Sequence, residues 1–266
     1  MKHLTLVVTA ATFLVSAALA APPVKKPGAK AAAKPPAKTA AAAPDAGRSG
    51  LFWDAWYTIT VNKTIHYSYY NEKLGLKDGK ILYQSKSWKQ EEGYINEEQI
   101  GAMSSNAPDL IPMFFNFHST YRSTETSIDG NVKDGKFLTV KVRKGNTDLP
   151  LIKKTIPSNT IFSVFFPIWL RSKLASLKPN QTTGFNTILE DNIEANFGTI
   201  PGVVRLELPD QTALRLKTEK LSVNYKDLRT TWYVEKTGKP LMIEIPAQKT
   251  LIELVPMETA QSFLDD

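Results

Sequence analysis

From about residue 51 onward, apolar and polar residues alternate with a period of two, and this constrains the fold more than any other feature of the chain. Tyr57, Ile59 and Val61 alternate with Thr58, Thr60 and Asn62, and Ile65, Tyr67 and Tyr69 with His66 and Ser68. Leu138, Val140 and Val142 are interleaved with Thr139, Lys141 and Arg143. Val204, Leu206 and Leu208 face away from Arg205 and Glu207, and Leu214 and Leu216 from Arg215 and Lys217. Trp232–Glu235, Leu241–Ile245 and Leu251–Val255 complete the set. Side chains two apart share a face of a strand, so each run reads as a strand with one face buried.

Between these runs stand Asp78-Gly79-Lys80, Asp134-Gly135-Lys136 and Thr237-Gly238-Lys239, where glycine supplies the positive φ of tight hairpins. Hairpins in series imply antiparallel neighbours. Strand–helix–strand rhythm is absent, which excludes a dinucleotide-binding fold. The expectation is a mainly β (α+β) domain: one strongly curved antiparallel sheet, or half-barrel, with one or two short helices. Pro167 opens one helix, with Leu170, Leu174 and Leu177 at helical spacing; Pro256 opens another through Met257, Ala260 and Leu264. Asn96-Glu97-Glu98-Gln99 reads equally as a capping box or a strand.

Two runs break the alternation. Ile161–Leu170 and Pro112–Phe117 are apolar on both faces, as expected where a sheet curls around a helix or a cavity. They define a candidate apolar binding wall of Phe115, Phe117, Phe162, Phe165 and Trp169. The alternative is ordinary core.

The N-terminal residues supply an address. Met1-Lys2-His3 precedes an apolar run, Leu4 to Ala20, closed by Ala18-Leu19-Ala20. A basic start, an apolar centre and small residues at the cut predict a secretory signal peptide over 1–20. At ~1.5 Å per residue that run reaches roughly 25 Å, short of a ~30 Å hydrocarbon core. No cysteine stands at the cut, so no lipoprotein is expected, and no later segment is apolar enough to form a transmembrane span after cleavage. The chain has no cysteine at all, which excludes disulfides and thiolate chemistry and, with this leader, points to a bacterial periplasm.

Residues 21–50 are almost entirely Ala, Pro and Lys, a disordered linker by composition, leaving 51–266 as a single β-rich domain. Lys25, Lys26, Lys30, Lys34 and Lys38 give the linker an alternative use on acidic lipid or wall polymer. Seven basic residues against Asp45 alone give the first 48 residues +6 of the chain's +7 net charge. The domain itself is nearly neutral, so nucleic acid is excluded as a partner.

Catalytic signatures are absent. His66 and His118 stand apart without metal-ligand spacing, and no Gly-x-Ser-x-Gly or Ser-x-x-Lys occurs. The pairs Glu91-Glu92, Glu97-Glu98 and Glu190-Asp191 point to opposite faces of a strand and are expected to be solvated. Gly130-Asn131-Val132-Lys133-Asp134-Gly135-Lys136 fits a phosphate-binding loop only formally: Phe137 follows in place of Ser or Thr, and the sequence after it reads as a strand.

A leader, a Trp-led first strand from Trp53 to Val61, a meander of long strands, and a short helix after an apolar strand resemble the periplasmic lipoprotein-carrier (LolA/LolB-like) half-barrels. The likeness is one of layout, spans most of 51–266 and carries no diagnostic motif. It implies a curved sheet wrapped around helices and holding an acyl chain. The expected function is that of a non-enzymatic periplasmic binding protein without cofactor. Its partner would be an apolar small molecule or a lipid-bearing protein. The alternative is an envelope scaffold or assembly factor that binds a protein partner by adding strands to its sheet edges. A weaker third reading is an enzyme built on scattered acids, Arg122 and His118.

Overall fold

A computed structural model describes residues 50–265 apart from Glu92, Ala195, Lys226 and Asp227. The expected signal peptide and nearly all of the linker lie outside the described residues. Within them the chain forms one sheet of sixteen strands.

Seven strands run as a meander: β1 (Leu51–Val61), β2 (Ile65–Lys77), β3 (Lys80–Glu91), β4 (Tyr94–Ser105), β5 (Pro112–Tyr121), β6 (Thr124–Lys133) and β7 (Phe137–Lys144). Two short strands, β8 (Thr147–Asp148) and β9 (Ile152–Thr155), both pair with β7. The chain then enters β10 (Thr160–Phe162), a 3-10 turn (Ser163–Phe165) and helix α1 (Phe166–Leu174). It returns through β11 (Thr182–Ile188), β12 (Ile200–Leu206), helix α2 (Gln211–Leu216), β13 (Glu219–Tyr225), β14 (Leu228–Val234), β15 (Pro240–Ile245) and β16 (Thr250–Val255), ending in helix α3 (Met257–Gln261).

The last strand pairs with the first, Tyr57 opposite Leu254 and Ile59 opposite Ile252. The sheet therefore has two arms that meet at β1 and β16. One runs outward to β8 and β9, the other to β10. Every neighbour is antiparallel except β10 and β11. The arms curl toward one another, since the rings of Phe115 on β5 and Phe162 on β10 lie 5.1 Å apart, and the barrel stays unclosed between β10 and the β7–β9 edge. One continuous apolar cluster with residues from both arms fills the concave side.

The turns carry the hairpins as their residues dictate. Asp78 and Gly79 (φ 52° and 71°) form a two-residue loop between β2 and β3. Asp134 and Gly135 (φ 55° and 64°) turn β6 into β7, so the formal phosphate-loop match is a hairpin. Asn96–Gln99 belongs to strand β4.

Two expectations are corrected. In β2 the inward residues from Ser68 onward are Ser68, Tyr70, Glu72 and Leu74, so Tyr69 faces outward and Ile65 is exposed, while Tyr67 still packs against the core. The β1–β2 register shifts between Ile59 and Thr60, and a slip of one residue exchanges the two faces. Tyr69 has an outward place in any case: its ring stacks on Trp88 (4.8 Å) and lies 6.5 Å from Trp56. Leu214 and Leu216 lie on α2, not on a strand. Asp210 caps this helix, its carboxylate accepting from Ala213 N at 2.9 Å, and Lys217 closes it in the left-handed region (φ 55°).

Candidate functional site

The concave face is built around the segment that leaves β10. All five residues of the expected binding wall are buried: Phe115, Phe162 and Phe165 completely, Phe117 and Trp169 nearly so. The structure joins them in one cluster. Phe162 packs edge-on against Phe115 and lies 6.5 Å from Phe165. Trp169 joins through Phe166 (5.8 Å) and Phe185 (5.1 Å), while Phe117 stands two residues along β5 from Phe115, opposite Ile100 and Ile128. Here the rings pack on each other.

α1 lies inside the curl because its sequence permits nothing else. Phe166, Pro167, Ile168, Trp169 and Leu170 are all buried, with Pro167 in the first turn, and the polar residues Arg171 and Lys173 come only in the last turn. Phe166 is central, with rings of Phe185, Trp232 and Tyr225 within 4.9, 5.1 and 6.1 Å. Sequence reading missed Phe166, Phe185, Phe197, Tyr225 and Trp232 as members of this wall. It also missed two glycines that seat the rings. Gly130 lies opposite Phe115 and Gly202 opposite Phe185, and a Cβ at either position would run into the facing ring.

Two carboxyl groups are buried with these rings. Glu72 on β2 accepts from Trp53 Nε1 (2.8 Å) and Tyr83 Oη (3.3 Å). Burial pushes it up to about 7, against the pull of these bonds. Glu190, just past β11, accepts from the Ser163 hydroxyl and from Val164 N (3.3 Å), the first residues after β10. It is fully buried and pushed up to about 8, again by burial, with Asp191 adding to the rise. The expectation that Glu190 is solvated is therefore corrected, because its carboxyl ties the inner segment to the sheet. Around the two carboxyls, the hydroxyls of Tyr70 and Tyr225 are buried and unpaired among the described residues.

At one rim of the curl the inner face is polar. Lys89 pairs with Glu98 at 2.6 Å, both nearly buried, and Tyr67 Oη donates to Glu91 (2.7 Å). Asn96 accepts from Arg122 N at 3.4 Å. The Arg122 guanidinium lies over the rings of Tyr94 (5.4 Å) and Tyr121 (5.5 Å). An open concavity of about 340 Å³ lies here, lined by Tyr94, Ile95, Asn96, Thr120, Arg122 and Ser123. Another, of about 430 Å³, is lined by Asp54, Trp56, Lys239 and Met257 among others. None of the five predicted wall residues lines either.

His118 and Arg122 occupy different settings, His118 in mid-strand opposite Gln99 and Ser127, Arg122 in a left-handed turn. His66 stacks on Phe263 at 4.2 Å. Among the described residues no helix is long and apolar enough to cross a membrane.

These features define the class: an unclosed, barrel-like antiparallel sheet with its own helix inside. No family model and no curated protein matches the sequence. A solved structure with the same architecture is the β-barrel-like protein of the domain of unknown function DUF1849 from Brucella abortus. It is 11% identical with a TM-score of 0.50, over 76% of this chain and 94% of that one. A DUF1089 family protein from Pseudomonas aeruginosa aligns at 13% identity and a TM-score of 0.41, over 70% and 92%.

Proposed function

We propose that this chain is a non-enzymatic binding protein of the bacterial periplasm that holds a lipid or acyl chain against the concave face of its sheet. One observation carries the reading: the barrel is unclosed, and the chain's own apolar segment, running from the edge strand β10 into α1, covers the concave face. Six of its side chains, Phe162, Val164, Phe165, Phe166, Ile168 and Leu170, are buried to 2% exposure or less. At about 1.5–3 kcal/mol each, exposing them costs on the order of 10 kcal/mol. An acyl chain of about fourteen methylenes returns about 11 kcal/mol at ~0.8 each. The two terms are of the same order, as a carrier that must both load and release requires. The resemblance in sequence layout to lipoprotein-carrier half-barrels supports the same reading.

The test is to express the protein with its own leader, purify it from the periplasm, and combine native mass spectrometry with organic extraction. A stoichiometric lipid is expected, and Trp169→Glu should lose it while the far-ultraviolet β signal persists. A clean apo mass would overturn the reading.

One observation favours a scaffold that binds a protein partner: the wall rings pack on each other. Such a scaffold would not work by strand addition. Its edges are two, four and three residues long, and β9 carries Lys153 and Lys154. Contact would fall on Tyr94, Ile95 and Tyr121, which are exposed at the polar rim. Retrieval of an envelope protein by the apo form, lost in Tyr94→Ala with Ile95→Ala, would establish it.

A further inference from the structure

Resting on the apolar-chain reading, we infer that the ligand's head is neutral and hydrogen-bonding (an ester, amide or alcohol), not a free carboxylate or phosphate. The groups that receive it are Glu190 and Tyr225, with Tyr70, Tyr83 and Glu72 beyond them.

The argument begins from what is unsatisfied. The Tyr70 and Tyr225 hydroxyls are in residues only 1% exposed, yet neither has a partner among the described residues. A buried polar group without a partner costs about 1–3 kcal/mol, and native interiors rarely tolerate it unless something else binds there. Both hydroxyls belong to rings packed into the core of the concave face. Tyr225 packs its ring on Phe166 and Phe185, beneath the inner helix, and Tyr70 stacks on Tyr57 at 4.8 Å. Tyr83 bonds Glu72, and Glu190 acts electrostatically on both Tyr83 and Tyr225, so the two carboxyls and these tyrosines are buried polar groups in an otherwise apolar face. Displacing the segment at Ser163 and Val164 frees the Glu190 oxygens that now hold it.

The charge balance selects the head. Two buried carboxyls already occupy this face, and Asp191 adjoins one of them. Burial favours the protonated form of both carboxyls, in which each can donate as well as accept, as the tyrosine hydroxyls do. A carbonyl or hydroxyl finds partners of both kinds. A second anion would need a counter-charge to enter a dry interior. Lys89, the lysine buried on this face, is already paired with Glu98, and Lys239, which acts on Glu72, is part of the lining of the larger surface concavity.

The experiment fixes the chain and varies the head. Nile red, a neutral probe, is bound to the delipidated full-length mature protein at pH 7.5 and displaced by 1-monolauroylglycerol, laurate or dodecyl phosphate. Monolauroylglycerol is expected to displace it at concentrations at least tenfold lower than either anion. The Tyr70→Phe, Tyr225→Phe double variant should lose about tenfold toward monolauroylglycerol, leave laurate unchanged, and melt no lower than the parent because it sheds two unpaired hydroxyls. Equal displacement by all three overturns the head assignment while leaving the apolar-chain reading intact. Failure of every lipid to displace the probe overturns both. A double variant that keeps the full preference removes the two tyrosines from the site.

Discussion

The two arms of the sheet solve the same packing problem with different materials. The arm from β1 to β7 uses strands of eight to thirteen residues in a plain meander. The arm from β16 back to β10 uses strands of three to seven and carries the inner helix. Each brings one glycine under one phenylalanine, Gly130 with Phe115 and Gly202 with Phe185. Each also buries one glutamate. Glu72 is bonded by Trp53 and Tyr83 from neighbouring strands, so it ties the sheet to itself. Glu190 is bonded by Ser163 and Val164, so it ties the inner segment to the sheet. One arm is a wall, the other a wall with a stopper. The same kind of buried carboxyl joins strand to strand in the first and joins the inner segment to the sheet in the second.

The largest expected effect tests the stopper. Phe166→Ala should cost about 3–5 kcal/mol in urea unfolding, the usual range for emptying a buried phenylalanine site. Phe115→Ala in the other arm should cost about as much. A loss below about 1 kcal/mol for Phe166→Ala alone would mean the inner helix is not held by its aromatic contacts, and the contrast between the arms would collapse.

The paired glycines come next. Gly130→Ala and Gly202→Ala each press a methyl group into a facing ring, and overpacking of this kind costs about 1–3 kcal/mol. Equal losses would confirm one device used twice. A neutral change at either position would show that its arm can shift the ring aside.

The smallest effect separates the glutamates by pH. Both have folded values raised above the ordinary 4.5, so the folded state holds extra protons and stability falls as pH rises from about 4.5. The loss from Glu72 is complete near 7, that from Glu190 near 8. Between pH 7 and 8 the parent should therefore lose stability on the order of 1 kcal/mol, and so should Glu72→Gln. Glu190→Gln should be flat in that window. Urea midpoints across pH 5 to 9 check this, and a flat parent would mean that neither carboxyl is as dry as its position suggests.

Much of this was legible in the chain. The alternation at Leu138–Val142 and the Asp-Gly turns gave strands and hairpins that the structure contains. Of the two runs apolar on both faces, Ile161–Leu170 is the longer, and it lies inside the curl. Other elements were not legible, for physical reasons. Tyr69 and Tyr70 are neighbours of equal hydrophobicity, so nothing local says which faces inward; a register shift between β1 and β2 decides it. Leu214 and Leu216 alternate as a strand would, but Asp210 caps a helix there. Glu190 beside Asp191 looks like any solvated acid pair, and only the return of Ser163 to it, 27 residues distant in sequence, makes it a buried anchor.

What the sequence alone determined is therefore the kind of element and the composition of the interior, because periodicity and turn chemistry act over a few residues. The tertiary structure decided which face of β2 turns inward, which acid is buried, and that the apolar run with its helix fills the curl of an unclosed sheet. Those outcomes depend on pairing between residues far apart in the chain, and no local pattern records such pairing.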